Sequence, residues 1–251
     1  MRKPFTQNIE ISLYDTDMNA KISIQNIVKY FMEAAVDHSE HTEYKLERLL
    51  AARRGWVVLN WVIKMKDYPE FGDKLKLSTW AKPGNTLQAT RYFTFEYEDG
   101  TTAAEAVSRW AFLDLDTRHP VRFPLEMMEA YCYDRQEPFD PGKFIMPKEK
   151  SEDLISEKKL IVRRSETDTN GHTNNARYVE WAVDDVPDDV YTNYKADEIR
   201  VLYRKECRAG EEVAVKTYLR DAENGIKEII TSMENSAGDI LCKISTIWSK
   251  K

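Results

Sequence analysis

One pattern occurs twice in this chain, and that duplication limits the folds open to it more than any other feature. Thr16-Asp17-x-Asn19 returns as Thr167-Asp168-x-Asn170, 151 residues later, and Val28 and Tyr30 then fall on Val179 and Trp181. Further along, Gly72 meets Gly210, Gly100 meets Gly238 and Trp110 meets Trp248, all at an offset of 138. Strand parity agrees, because Leu75, Leu77, Thr79 and Ala81 fall on Val213, Val215, Thr217 and Leu219. The drop in offset leaves thirteen extra residues in the first half, between its helix and its second strand. Several anchors at one offset with matching alternation indicate an internal duplication of a strand–helix–multistrand unit.

The repeated unit has one amphipathic helix. Ile24, Ile27, Val28, Phe31 and Ala35, with Met32 beside them, recur at helical spacing and make one face apolar. Strands are expected near 9–13, 56–65, 74–82, 87–97 and 102–115, the last two joined as a hairpin by the turn at 98–100. A helix followed by antiparallel strands buries its stripe against one face of a curved sheet. The expected class is therefore α+β, two helices each on an antiparallel sheet, with the two sheets joined as a pseudo-dimer. Neither a GxGxxG nor a GxxxxGK loop is present. Residues 116–158 hold five of the nine prolines and end in the run KEKSEDLISEKK, which reads as a surface linker with a short helix at 125–131. One more short helix is expected near 188–195, after Pro187. The division is thus 1–115, linker 116–158, and 159–251.

Chemistry concentrates in the second copy. Asp168, Asn170, His172, Asn174 and Asn175 lie within eight positions, just before the second helix. An acid, an amide and an imidazole at i, i+2 and i+4 suit proton transfer near neutral pH. The same stretch also suits a polar helix cap, with Asn174 or Asn175 satisfying free N–H groups. Composition narrows the partners. A formal charge of −6 argues against general nucleic-acid or anionic-membrane binding. No apolar run reaches membrane-spanning length, and the basic amino terminus has no apolar core after it, so no secretory signal is expected. Cys132, Cys207 and Cys242 are sparse and unpaired in spacing, as in a reduced cytoplasmic protein. The four histidines show no zinc-type spacing either.

The DxNxHxNNxxY pattern (Asp168, Asn170, His172, Asn174, Asn175, Tyr178), the later YRKEC (Tyr203 to Cys207) and the duplication together resemble the acyl-acyl carrier protein thioesterases. These are bacterial relatives of the plant enzymes that end fatty-acid synthesis. The resemblance covers nearly the whole chain and implies a tandem (double) hotdog fold. It also implies hydrolysis of fatty acyl thioesters on acyl carrier protein, without metal or organic cofactor. By the same resemblance Asn170 and His172 match the catalytic pair, Asp168 the carboxylate supporting them, and Glu206 and Cys207 two further catalytic positions. The first copy has Lys21 where His172 would be and Ile24 where Asn175 would be, which implies an acyl-binding half without the chemistry.

Two routes remain open from the residues. Cys207 could act as a thiolate nucleophile with His172, or Glu206 could act as general base on water. Adjacent side chains on a strand face opposite ways, so only one of the two can enter the site. Glu206 is preferred, because a buried cysteine is a common core residue; its bland reading is an ion pair with Arg204 or Lys205. The N–H groups opening the second helix are expected to hold the oxyanion. Ile24, Val28, Phe31, Met32, Ala35 and Trp61 are candidates to line an acyl tunnel, or simply a core. Arg53, Arg54, Arg163, Arg164, Arg200, Arg204, Lys205 and Arg208 are candidates to meet an acidic carrier protein. An acyl-CoA thioesterase, a related hydratase and a non-catalytic acyl-thioester-binding module are the alternatives. Monomer and homodimer are both compatible with the duplication.

Overall fold

The computed structural model describes residues 4–83, 85–132 and 135–251. The chain divides into two compact units, Met1–Gly142 and Lys143–Lys251. In the first, strands β1 (Phe5–Glu10), β2 (Arg54–Met65), β3 (Lys74–Pro83), β4 (Gln88–Tyr97) and β5 (Thr102–Asp114) pair antiparallel in the order β1-β3-β4-β5-β2. In the second, β6 (Leu154–Ile161), β7 (Tyr194–Tyr203), β8 (Glu212–Asp221), β9 (Lys227–Asn235) and β10 (Ile240–Lys250) pair in the order β6-β8-β9-β10-β7. The second order is the first, repeated.

Details repeat as well. The β2–β5 register slips at Leu59 and the β7–β10 register slips at Asp197, 138 residues later. A bulge at the same place in both copies bends both sheets alike. The Trp110 indole N–H donates to Ser108 Oγ at 2.7 Å, and that of Trp248 donates to Thr246 Oγ1 at 2.7 Å. Gly72 and Gly210 both turn the chain at positive φ, 86° and 88°, where a Cβ would be strained.

Helix α1 (Ile24–Glu40) presents the expected stripe: Ile24, Ile27, Val28, Phe31 and Ala35 are buried. Phe31 stands 5.0 Å from Phe93 and 6.1 Å from Trp61, ring to ring, which fixes the helix on β2 and β4. Truncating Phe31 to Ala would cost roughly 3–5 kcal/mol by loss of transfer energy and cavity formation. The helix of the second copy, α4 (Asn175–Val183), is shorter and buries Tyr178, Val179, Trp181 and Ala182.

Three elements differ from the sequence reading. The charged segment after α1 contains a helix, α2 (Leu46–Ala51), anchored by the buried Leu49. The first strand lies at 5–10 rather than 9–13. Residues 116–158 are not one linker, though residues 133 and 134 lie outside the described residues. Helix α3 (Leu125–Tyr131) stands where expected, but Phe123, Met127, Met128 and Tyr131 pack with Leu49, Ala81 and Phe112 in the first unit. The end of the charged run forms β6, an edge strand whose lysines and glutamates face solvent. Charge on an edge guards against pairing with other chains and hides the strand from hydropathy. The short helix α5 (Asp188–Asn193) follows Pro187 as expected.

Candidate active site

Asp168 shapes the loop before α4. Its Oδ1 accepts the N–H of Asn170 at 2.8 Å and of His172 at 3.1 Å, while its own N–H donates to His172 O at 2.8 Å. Short acceptors suit such turns because the side chain replaces a backbone carbonyl. Gly171 sits at φ 73° within it. The turn brings the chain back so that Thr167 faces Thr173, and His172 faces Arg208 in an isolated antiparallel bridge.

The segment opposite is Arg204–Arg208. It leaves the sheet after β7, because the N–H groups of Arg204 and Lys205 both turn to Leu241 O, at 2.8 and 3.2 Å. Two successive amides on one carbonyl break the ladder, so Glu206 and Cys207 lie just beyond the strand and not within it, as the sequence reading had it. They still face opposite ways. Glu206 is exposed and puts Oε2 3.3 Å from His172 Nε2. Cys207 is 1% exposed, and its sulfur lies 3.1 Å from both Thr173 Oγ1 and Tyr178 Oη. The carbonyl of Cys207 accepts from Thr173 N at 2.8 Å, tying the turn to this segment. Burial, then the neighbouring sulfur, pushes the Tyr178 hydroxyl far up, so it stays protonated. Lys205 is paired with Asp239 at 2.8 Å.

At the start of α4, Asn174 is the cap: its Oδ1 accepts Ala176 N at 3.0 Å, and its carbonyl accepts Arg177 N at 2.9 Å. Ala176 and Arg177 thus have acceptors, while the Asn175 amide at the head of the helix has none among the described residues. The expected cluster of free donors is thus smaller than the sequence implied, with Asn175 N–H still open at its head. Asn170 is exposed, and its backbone N–H is the one held by Asp168. Among the described residues no group of three or more His, Cys, Asp or Glu is arranged to hold a metal, and no helix is long and apolar enough to cross a membrane.

The structure therefore gathers Asp168, Asn170, His172 and Glu206 in one turn and its facing segment, with Cys207 on the buried side of that segment. Sequence reasoning missed Thr173, which ties the two, and gave Arg208 only a docking role. Arg208 Nη2 lies 3.2 Å from His172 Nε2. Residues 172 and 208 face each other as 21 and 70 do, a pairing that the repeat relates but does not by itself reveal. Of the other basic candidates, Arg53, Arg54 and Arg200 pair with Asp116, Asp114 and Glu198. Arg163, Arg164 and Arg204 are exposed.

An exposed carboxylate 3.3 Å from an imidazole can take a proton from water. A buried thiol held by two hydroxyls is poorly placed to attack.

Residues 2–131 match the family model of the acyl-ACP thioesterase N-terminal domain, and residues 149–250 that of the acyl-ACP thioesterase C-terminal domain. An acyl-[acyl-carrier-protein] hydrolase of Cuphea viscosissima is 25% identical over 94% of this chain and 67% of its own length. Three such plant relatives are spanned over only 56 to 67% of their length. The 12:0-ACP thioesterase from Umbellularia californica superposes with a TM-score of 0.88 at 19% identity, covering 98% of this chain and 94% of that one. An acyl-ACP thioesterase from Bacteroides thetaiotaomicron superposes with a TM-score of 0.85 at 22% identity, covering 97% of each chain. The fold they share is the tandem hotdog.

Proposed function

The chain belongs to the acyl-ACP thioesterase family, and from that premise we propose that it hydrolyses the thioester of a fatty acyl group on acyl carrier protein. The products are free fatty acid and holo-acyl carrier protein. The second unit carries the chemistry. The first, with Lys21 and Ile24 in place of His172 and Asn175, serves acyl binding.

The observation that carries this reading is the 3.3 Å approach of Glu206 Oε2 to His172 Nε2 on the open side of the turn. Glu206 takes a proton from water, and the hydroxide adds to the thioester carbon. The oxyanion is met by Asn175 N–H, one such donor being worth on the order of 3 kcal/mol in the transition state. Collapse expels the thiolate of the carrier's prosthetic arm, which takes the proton held by Glu206 and so returns the carboxylate. Asn170 and His172 position water and carbonyl. Asp168 supports them through the backbone of the turn. Cys207 packs the turn from below.

Free-thiol release from a panel of acyl carrier proteins and the matching acyl-CoAs tests this. Fast release from carrier substrates is expected in the wild type and in Cys207→Ala, within about tenfold, and loss of about 10²–10⁴ in Glu206→Gln. A Cys207→Ala variant as dead as Glu206→Gln would transfer the chemistry to the thiol. No thiol from any substrate would leave an acyl-binding module.

A further inference from the structure

We propose that Arg208 is a positioning residue of this site: its guanidinium holds His172 Nε2 as a neutral acceptor and so keeps Glu206 from being locked in an ion pair with an imidazolium. The proposal rests on the hydrolase reading above.

Nε2 of His172 has two suitors, Arg208 Nη2 at 3.2 Å and Glu206 Oε2 at 3.3 Å. One ring nitrogen either carries a proton and donates to the carboxylate, or offers its lone pair and accepts from the guanidinium. It cannot do both. The guanidinium is charged at every working pH, so it penalises an imidazolium beside it, while Glu206 favours one.

Two further carboxylates hold the backbone of the pair. Asp168 Oδ1 accepts the His172 backbone N–H at 3.1 Å, and Glu211 Oε2 accepts the Arg208 backbone N–H at 3.2 Å. At the ring itself Arg208 is the cation set against the carboxylate of Glu206. Without it the ring would protonate more readily, and a protonated ring beside Glu206 would hold the base in place of a water.

Its placement is built into the fold. His172 and Arg208 face each other in an antiparallel bridge, where opposed side chains are neighbours whatever their identity. The first copy shows the same geometry with other residues. There Lys21 faces Glu70 across the equivalent bridge, and their charged ends meet at 3.3 Å. In the second copy the cation stands on the opposite side of the bridge, and the residue it meets is an imidazole.

The test is the ring titration of His172 by NMR in wild type, Arg208→Gln and Arg208→Lys, with His172→Gln assigning the signal. The pH dependence of kcat/KM on an acyl carrier protein substrate is measured alongside. Arg208→Gln is expected to move the ring's midpoint up by about one pH unit and to carry the acid limb of kcat/KM up with it. Activity on the alkaline plateau should fall less than tenfold. Arg208→Lys keeps the charge and should leave both midpoints near the wild type. An unmoved ring in Arg208→Gln, or an equal loss of activity at every pH with the acid limb in place, overturns the proposal. Should Arg208→Gln not fold, a full-unit rise in Arg208→Lys overturns it instead. A wild type that cleaves no thioester while its ring still follows Arg208 sinks the hydrolase reading and leaves this assignment standing.

Discussion

The turn at 16–24 and the turn at 167–175 are the same object with different side chains. Asp17 Oδ1 accepts from Asn19 N and Lys21 N at 2.8 and 3.3 Å, as Asp168 Oδ1 accepts from Asn170 N and His172 N. Ala20 takes the positive φ of Gly171, at 59° against 73°. Ile22 N donates to Pro69 O at 2.7 Å where Thr173 N donates to Cys207 O at 2.8 Å. Even the acid before each turn is matched: Asp15 accepts from Tyr30 Oη at 2.6 Å, and Glu166 from Trp181 Nε1 at 3.2 Å. Because the first copy keeps this scaffold without His172 or Glu206, the aspartate of the turn belongs to the scaffold. Among the positions that separate the copies are the two that carry the proposed proton chemistry: Lys21 against His172, and Tyr68 against Glu206.

The largest test of that contrast is kinetic. Glu206→Gln should lower kcat/KM by about 10²–10⁴ with little change in thermal midpoint, since an exposed carboxylate contributes proton transfer rather than packing. Glu70→Gln, on the equivalent bridge of the first copy, should leave the rate within about twofold. Thiol release under saturating and limiting substrate decides it. A comparable loss from Glu70→Gln would mean that the first turn is also a working site.

How much of this was legible beforehand follows from what each feature depends on. The repeat and the helix stripe are local patterns of burial, so they stand in the sequence. The opposite facing of Glu206 and Cys207 followed from chain alternation and survives although the segment has left the sheet. Helix α2 was hidden because six residues carry too little periodicity to mark a helix that tertiary packing of Leu49 stabilises. The capture of the Ala176 amide by Asn174 Oδ1 depends on a side-chain rotamer. The meeting of His172 with Arg208 depends on a bridge between segments 36 residues apart. The cap was one of the readings the local residues allowed, whereas the bridge is not written in local composition.

Histidines separate the copies too. His38 on α1 is buried, with Nδ1 3.1 Å from Arg91 Nη1 and its ring stacked on Phe5. Burial, and then the Arg91 charge, lower its pKa to about 3. Since the folded value lies below the unfolded one of about 6.5, the stability from the neutral ring is complete above pH 6.5. It is lost as pH falls from there toward 3, at roughly 1 kcal/mol per pH unit. Thermal midpoints of wild type and His38→Gln should therefore converge between pH 6.5 and 4.5. Parallel curves would show that the ring is not held neutral.

A smaller effect is expected from the shared aspartates. Asp17→Ala and Asp168→Ala each remove the acceptor of two turn amides and should each cost about 1 kcal/mol in urea unfolding. Only Asp168→Ala should also slow thiol release, because only its turn carries His172. Equal kinetic losses from the two variants would erase the distinction drawn between scaffold and chemistry.

The smallest effect sharpens the contrast most. Lys21 and Glu70 meet at 3.3 Å with 43% and 63% of their side chains exposed, so solvent screens them. A double-mutant cycle with Lys21→Ala and Glu70→Ala should return a coupling of about 0.2–1 kcal/mol that fades with added salt, and no kinetic change. At the matching bridge of the second copy, the coupling between His172 and Arg208 should appear in the pH dependence of the rate rather than in stability. One bridge then does two jobs: in the first copy it pairs surface charges, and in the second it sets the proton state of a working imidazole. A stability coupling above about 2 kcal/mol at Lys21–Glu70 would mean the first bridge holds its turn together, and the scaffold would no longer be common to the two.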